Sequence, residues 1–220
     1  MIDAVIFDMD GTLVDSERLG FTGWREAGKR LGTTIPDDIM RSFIGHNAAE
    51  VVAMCTDYLG DADLAQRIFD LHWDIRRERT TTDLTLLPGV HEALSALKAA
   101  GMRLAVCTSS NRPITESNLS RFGILDAFES ITCGDEVERG KPNPQIYAIA
   151  AQKLGVSPDV CAVVEDSPNG VRAGYAAGMT VFMVPNVIEP TQEMVEKTAR
   201  ILGTLHELPA AIAEVAGAQG

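Results

Sequence analysis

Val5-Ile6-Phe7 is a compact apolar run that stops at a polar turn, Asp8 to Gly11. That is the pattern of a short strand buried on both faces of a sheet. Arg103–Thr108, Ala127–Thr132, Val160–Val164 and Thr180–Val184 share its character, being short and rich in β-branched or apolar residues. Between them, apolar positions recur at helical period over His91 to Ala100, Pro113 to Phe122, Pro144 to Leu154 and Asn169 to Ala177. Gly101, Gly123, Gly155 and Gly178 each follow the last periodic residue, where a left-handed residue closes a helix. Strand and helix alternate, which predicts right-handed crossovers and a parallel sheet covered on both faces.

The stretch from Asp15 to Leu84 is helical in pattern and lacks strands, and Leu87-Pro88-Gly89-Val90 reads as the chain re-entering the main domain. The expected organisation is an α/β core of residues 1–14 and 85–220 with a small helical cap, residues 15–84, inserted after the first strand. Glu189 to Gly220 reads as a final helix or two with an Ala-rich tail.

With 220 residues, 45% of them apolar, the chain can bury a core of ordinary size. Its start has no basic n-region, and no apolar run approaches the roughly 20 residues that span a bilayer, so a cytoplasmic protein without membrane contact is expected. Cys55, Cys107, Cys133 and Cys161 form no CxxC pair and sit in apolar stretches, the setting of reduced, buried thiols. The net charge of −12 repels phosphate backbones, which counts against a nucleic-acid partner. A small phosphorylated ligand would need a local reversal of sign from a cation or a few lysines.

Asp8-Met9-Asp10-Gly11-Thr12 stands where the first strand ends. Carboxylates two apart on a strand point the same way, so Asp8 and Asp10 converge outside the carboxyl edge of the sheet, where open α/β sheets bind ligands. A loop starting at Asp8 puts Thr12, Leu13 and Leu19 where an EF-hand wants an acid or amide, Gly and Glu. The nearest imitation of a P-loop, Gly134 through Gly140-Lys141-Pro142, has one residue too many and Pro where Ser or Thr would hold the metal. Three more polar clusters follow later strands: Thr108-Ser109-Ser110-Asn111, Lys141-Pro142-Asn143-Pro144 and Glu165-Asp166-Ser167.

In order and spacing, this set resembles the four motifs of the haloacid dehalogenase-like superfamily, from Met1 to about Val184. The resemblance is to the branch with sugar-phosphate phosphatases, phosphoglycolate phosphatases and β-phosphoglucomutase. It implies a Rossmann-like three-layer core and an Mg²⁺-dependent phosphatase acting on a small phosphorylated metabolite through an aspartyl phosphate. Asp8 would be the nucleophile, Asp10 the general acid and base, Thr108 a hydrogen-bond partner of the phosphoryl group and Lys141 its countercharge. Asp8, the Asp10 carbonyl and Asp166 would hold Mg²⁺, with Glu165 associated with the metal. The charges point the same way, since like charges 4 Å apart cost about 4 kcal/mol at an effective dielectric of 20. Four carboxylates facing a phosphate require a cation.

Sugar-phosphate mutases of this branch carry a His where this chain has Gly20 and an Arg near Ala48. Their absence favours loss of the phosphoryl group to water, so a phosphatase is preferred to a mutase, with a non-catalytic phospho-ligand protein as the remaining alternative. Ser16, Glu17, Gly45, His46 and Asn47 are candidate substrate contacts, with Ser109 and Asn111 from the core. The Arg76, Arg77 and Arg79 cluster reads as a solvated helix face. A monomer is expected.

Overall fold

The computed structural model describes residues 2–44 and 48–218; the expected contacts Gly45, His46 and Asn47 lie outside them. The chain divides into two compact units, Met1–Val14 with Leu86–Gly220, and Asp15–Thr85.

The larger unit is built on six parallel strands: β1 (Ala4–Phe7), β2 (Arg103–Cys107), β3 (Ser130–Thr132), β4 (Cys161–Glu165), β5 (Thr180–Met183) and β6 (Arg200–Ile201). Their order across the sheet is β3-β2-β1-β4-β5-β6, with Ile6 paired to Ala105 on one side and to Val163 on the other. The pleat sends Ala4 and Ile6 into a core shared with Tyr147, Ala150 and Val171, while Phe7 meets Phe128 edge-on at 6.2 Å. Both faces of β1 are therefore covered, which is why its sequence does not alternate. The helices α5 (Val90–Ala99), α6 (Arg112–Arg121), α7 (Gln145–Leu154) and α8 (Pro168–Ala176) connect successive strands. Gly101, Gly123, Gly155 and Gly178 all take positive φ, as their positions predict. Beyond β5 lie α9 (Gln192–Lys197) and α10 (Leu208–Ala218).

Two differences from the sequence reading have plain causes. Leu125–Ala127 is a turn of 3₁₀ helix, so β3 is shorter than the apolar run around it. The edge strand β6 escapes notice because it has two residues, both exposed, and leaves no hydrophobic pattern.

The smaller unit holds α1 (Ser16–Arg30), α2 (Asp37–Ser42), α3 (Ala48–Leu59) and α4 (Ala62–Asp83). The Asp61 side chain accepts from Leu64 N at 3.0 Å and starts α4. Ala65, Ile68, His72 and Ile75 then form its buried stripe, packed on α1 and α3. No helix among the described residues is long and apolar enough to cross a membrane.

Candidate active site

Every polar cluster read from the sequence of the larger unit reaches the carboxyl edge of the sheet. Asp8 follows β1, Thr108 follows β2, Lys141 lies in the loop after β3, and Glu165 ends β4 with Asp166 beside it. The order reverses across β1, with chain-earlier β2 on one side and β4 on the other, so Asp8 stands at the switch point where such sheets bind ligands.

Lys141 binds the cluster together. Its Nζ donates to Asp8 Oδ1 at 2.6 Å, to Glu165 Oε1 at 2.6 Å and to the Cys107 carbonyl at 3.2 Å, and lies 5.0 Å from the centre of the Tyr147 ring. Glu165 is wholly buried. Its Oε1 also accepts from Tyr147 Oη at 2.8 Å, and its Oε2 accepts from Asp166 N, Ser167 N and Ser167 Oγ at 2.9–3.2 Å. Burial pushes the Asp8 carboxyl well above the usual carboxylate range, against the pull of Lys141. For Lys141 burial works against the charge, but Asp8 and Glu165 outweigh it and hold the ammonium well above the usual lysine range.

Asp10 is held separately: its Oδ2 accepts from Ser110 Oγ at 2.7 Å and Thr108 Oγ1 at 3.2 Å, and Thr108 Oγ1 in turn accepts from Ser110 N at 3.1 Å. Gly11 serves the site by having no side chain. It takes φ +82°, and a Cβ there would fall 2.2 Å from Asp166 Oδ2. Gly170, Gly174 and Gly178, spaced four residues apart, have three different reasons. A Cβ on Gly170 would fall 1.7 Å from Glu165 Oε1, one on Gly174 would press on Val163 and Val181 at 3.1 Å, and Gly178 closes α8.

Ligand oxygens of Asp8, Glu165 and Asp166 lie within 4.8 Å of one another. Three buried carboxylates with hard oxygen donors match a hard divalent cation such as Mg²⁺ rather than zinc. Glu165 belongs to this group by distance, but both of its oxygens are already engaged by protein donors.

Residues 5–184 match the family model described as haloacid dehalogenase-like hydrolase. The chain belongs to that family. A phosphorylated carbohydrates phosphatase of Thermotoga maritima is 30% identical to it over 97% of this chain and 100% of the relative. Hexitol phosphatase A of Escherichia coli is 36% identical over 81% of each. A solved haloacid dehalogenase-family hydrolase of Deinococcus radiodurans, with bound phosphate and sodium, matches at TM-score 0.82 and 32% identity over 97% of this chain and 96% of that one. By enzyme class, this haloacid dehalogenase-like hydrolase is a phosphoric monoester hydrolase.

The remaining expected contacts of this hydrolase are placed differently. Ser109 is exposed. Asn111 caps α6, its Oδ1 accepting from Ile114 N at 3.1 Å. Ser16 is the buried first residue of α1, and Glu17 lines a cavity of the helical unit.

Ser110 and Tyr147 were not picked out from sequence. Ser110 lies two residues from Thr108, close enough to share its target. Tyr147 is a hydroxyl on the buried face of an otherwise apolar helix, a position that requires a hydrogen-bond partner. Tyr147→Phe leaves Glu165 one donor short and is expected to destabilise the protein by about 1 to 2 kcal/mol. Urea denaturation would measure it, and an unchanged midpoint would show that the phenol does not support Glu165.

Proposed function

We propose that this hydrolase cleaves a small phosphate monoester, of the sugar-phosphate kind, through a phosphoryl group carried on Asp8. The observation that carries this reading is the charge arrangement: a buried nucleophile-type carboxylate 2.6 Å from a buried ammonium, with a second carboxylate, Asp10, aligned by two hydroxyls.

An Asp8 carboxylate oxygen bonds to phosphorus as the ester P–O bond breaks, and Asp10 gives its proton to the leaving alcohol oxygen. Asp10 then takes a proton from water as that water attacks phosphorus, which releases inorganic phosphate and restores the Asp8 carboxylate. Lys141 faces the charge that builds on Asp8 and the phosphoryl oxygens, while Glu165 and Tyr147 keep it in place. Thr108, which donates to Asp10 at 3.2 Å, would also hydrogen-bond the phosphoryl group. Asp8, Asp166 and the Asp10 carbonyl would hold Mg²⁺, and Glu165 keeps to its protein donors. Bound there, Mg²⁺ supplies countercharge for the carboxylates and the phosphoryl oxygens. The phosphatase relatives named for carbohydrates and hexitols support a small polyhydroxylated leaving group.

The deciding experiment is phosphate release from a generic aryl phosphate and a panel of sugar phosphates, with Mg²⁺ and with chelator. Metal-dependent turnover is expected; silence across the panel, or full activity in chelator, would overturn the reading.

A second expectation concerns stability. Because the folded-state pKa of Asp8 is raised, its contribution to metal-free stability is present at low pH and lost as pH rises through that value. Mg²⁺ binds the ionised carboxylates and displaces the proton. Its stabilising effect, about 2.7 kcal/mol at a hundredfold excess over Kd, should therefore be small within the ordinary carboxylate range and grow above it. Thermal scans with and without chelator across pH would detect this; a gain that does not change with pH would contradict it.

A further inference from the structure

Thr108 Oγ1 has one proton and two claims on it. The oxygen accepts from Ser110 N at 3.1 Å, and its own proton goes to Asp10 Oδ2 at 3.2 Å. A hydroxyl donates a single hydrogen bond. In the hydrolase reading an arriving phosphoryl oxygen takes that proton, and Asp10 then loses one of its two hydroxyl donors. What stays is Ser110 Oγ, the shorter of the two contacts at 2.7 Å from Asp10 Oδ2.

The backbone around Ser110 is held before, at and after the residue. Thr108 N donates to Thr132 O at 3.0 Å, and the Ser110 carbonyl accepts from Gly134 N at 2.9 Å, so the loop after β2 is tied to the end of β3 and the loop that follows it. Gly134 can approach so closely because it lacks a side chain: a Cβ there would fall 2.2 Å from the Ser109 carbonyl oxygen. On the far side, Asn111 is fixed by its cap on α6. Ser110 is half-buried while Ser109 beside it is exposed. Its hydroxyl is therefore a braced point of attachment, as a group that supports a reacting side chain must be. Such bracing matters for proton transfer, where a misplacement of about 1 Å can cost on the order of a hundredfold in rate.

We infer that Ser110 is the positioning residue for Asp10. It keeps the carboxyl group in place through both proton transfers while Thr108 turns to the phosphoryl group, and it acts through Asp10 rather than on the substrate. The inference rests on the hydrolase reading, in which Asp10 is the acid and then the base.

The test uses phenyl phosphate and 4-nitrophenyl phosphate, esters of similar shape, each cleaved in a single turnover by excess full-length enzyme with Mg²⁺, so that only the first transfer is timed. Phenoxide leaves poorly without a proton and 4-nitrophenoxide leaves readily without one, so the first ester depends on Asp10 far more than the second. Ser110→Ala is expected to slow cleavage of phenyl phosphate about tenfold or more and that of 4-nitrophenyl phosphate less than about twofold. The second ester thereby serves as the control for fold and metal. Added to Asp10→Ala, Ser110→Ala should cause no further loss, because residues that act as a unit are not additive. Equal losses on both esters, or a loss undiminished in the Asp10→Ala background, would overturn the inference. If Asp10→Ala slows phenyl phosphate and Ser110→Ala does not, the inference fails alone. If Asp10→Ala slows neither ester, the acid of the hydrolase reading fails and the inference falls with it.

Discussion

Asp8→Asn is expected to lower turnover on the order of 10⁴-fold or more while leaving a folded protein. The amide keeps the shape of the side chain and an oxygen that can accept from Lys141, so the bond now made at 2.6 Å has a successor. The variant also relieves a crowded set of carboxylates, because burial, Glu165 and Asp10 all disfavour a charge at Asp8. What it loses is the nucleophile of the proposed reaction: a neutral amide oxygen does not form a covalent phosphoryl intermediate. Phosphate release and a search for the phosphoenzyme by mass spectrometry measure the two consequences together. Retention of more than about a hundredth of the wild-type rate would exclude Asp8 as the nucleophile.

Lys141→Met should be the most destabilising single change in the site. It replaces the ammonium with an apolar chain of similar length and leaves Asp8 and Glu165, both buried, facing each other without their shared cation. Breaking a buried ion pair from one side costs about 3 to 5 kcal/mol, or about 6 to 20 °C in Tm for a chain of this size. The sign with pH follows from the carboxylates. Protonation removes the uncompensated charge, so the deficit is greatest near neutrality and shrinks on acidification. Thermal scans at neutral and mildly acidic pH test both parts, and a Tm equal to that of the wild type at neutral pH would mean that Lys141 is not the countercharge of the cluster. Loss of turnover should accompany the loss of stability, since in the proposed reaction the same ammonium faces the charge that builds during transfer.

The two variants separate chemistry from scaffold. Asp8→Asn removes the proposed reacting atom from a site that holds together without it, whereas Lys141→Met removes the cation shared by Asp8 and Glu165. Tyr147→Phe lies between them, since it keeps the ring beside the ammonium and removes only the hydroxyl that bonds Glu165.

Much of this was legible from residue order alone. Short two-faced strands, helix-closing glycines and the clusters at Asp8, Thr108, Lys141 and Glu165 are local signals, each contained within a few consecutive residues. Backbone chirality and the burial of apolar runs then leave few ways to arrange them, so the parallel sheet and the gathering of all four clusters at its carboxyl edge follow from sequence. Residue type likewise determined that the site is rich in oxygen donors and short of positive charge.

Tertiary structure decided which partners meet. Lys141 and Asp8 are 133 positions apart, and Ser110 and Asp10 are 100 apart. No periodicity carries information across such separations. It is the sheet order that makes Glu165 the holder of Lys141 and assigns Ser110 to Asp10. The space beside Gly11 is defined by Asp166, from elsewhere in the chain, and that His72 is buried with no hydrogen-bond partner among the described residues is visible only once α1 and α4 are packed, because hydrogen-bond satisfaction is a property of a packed environment and not of a residue.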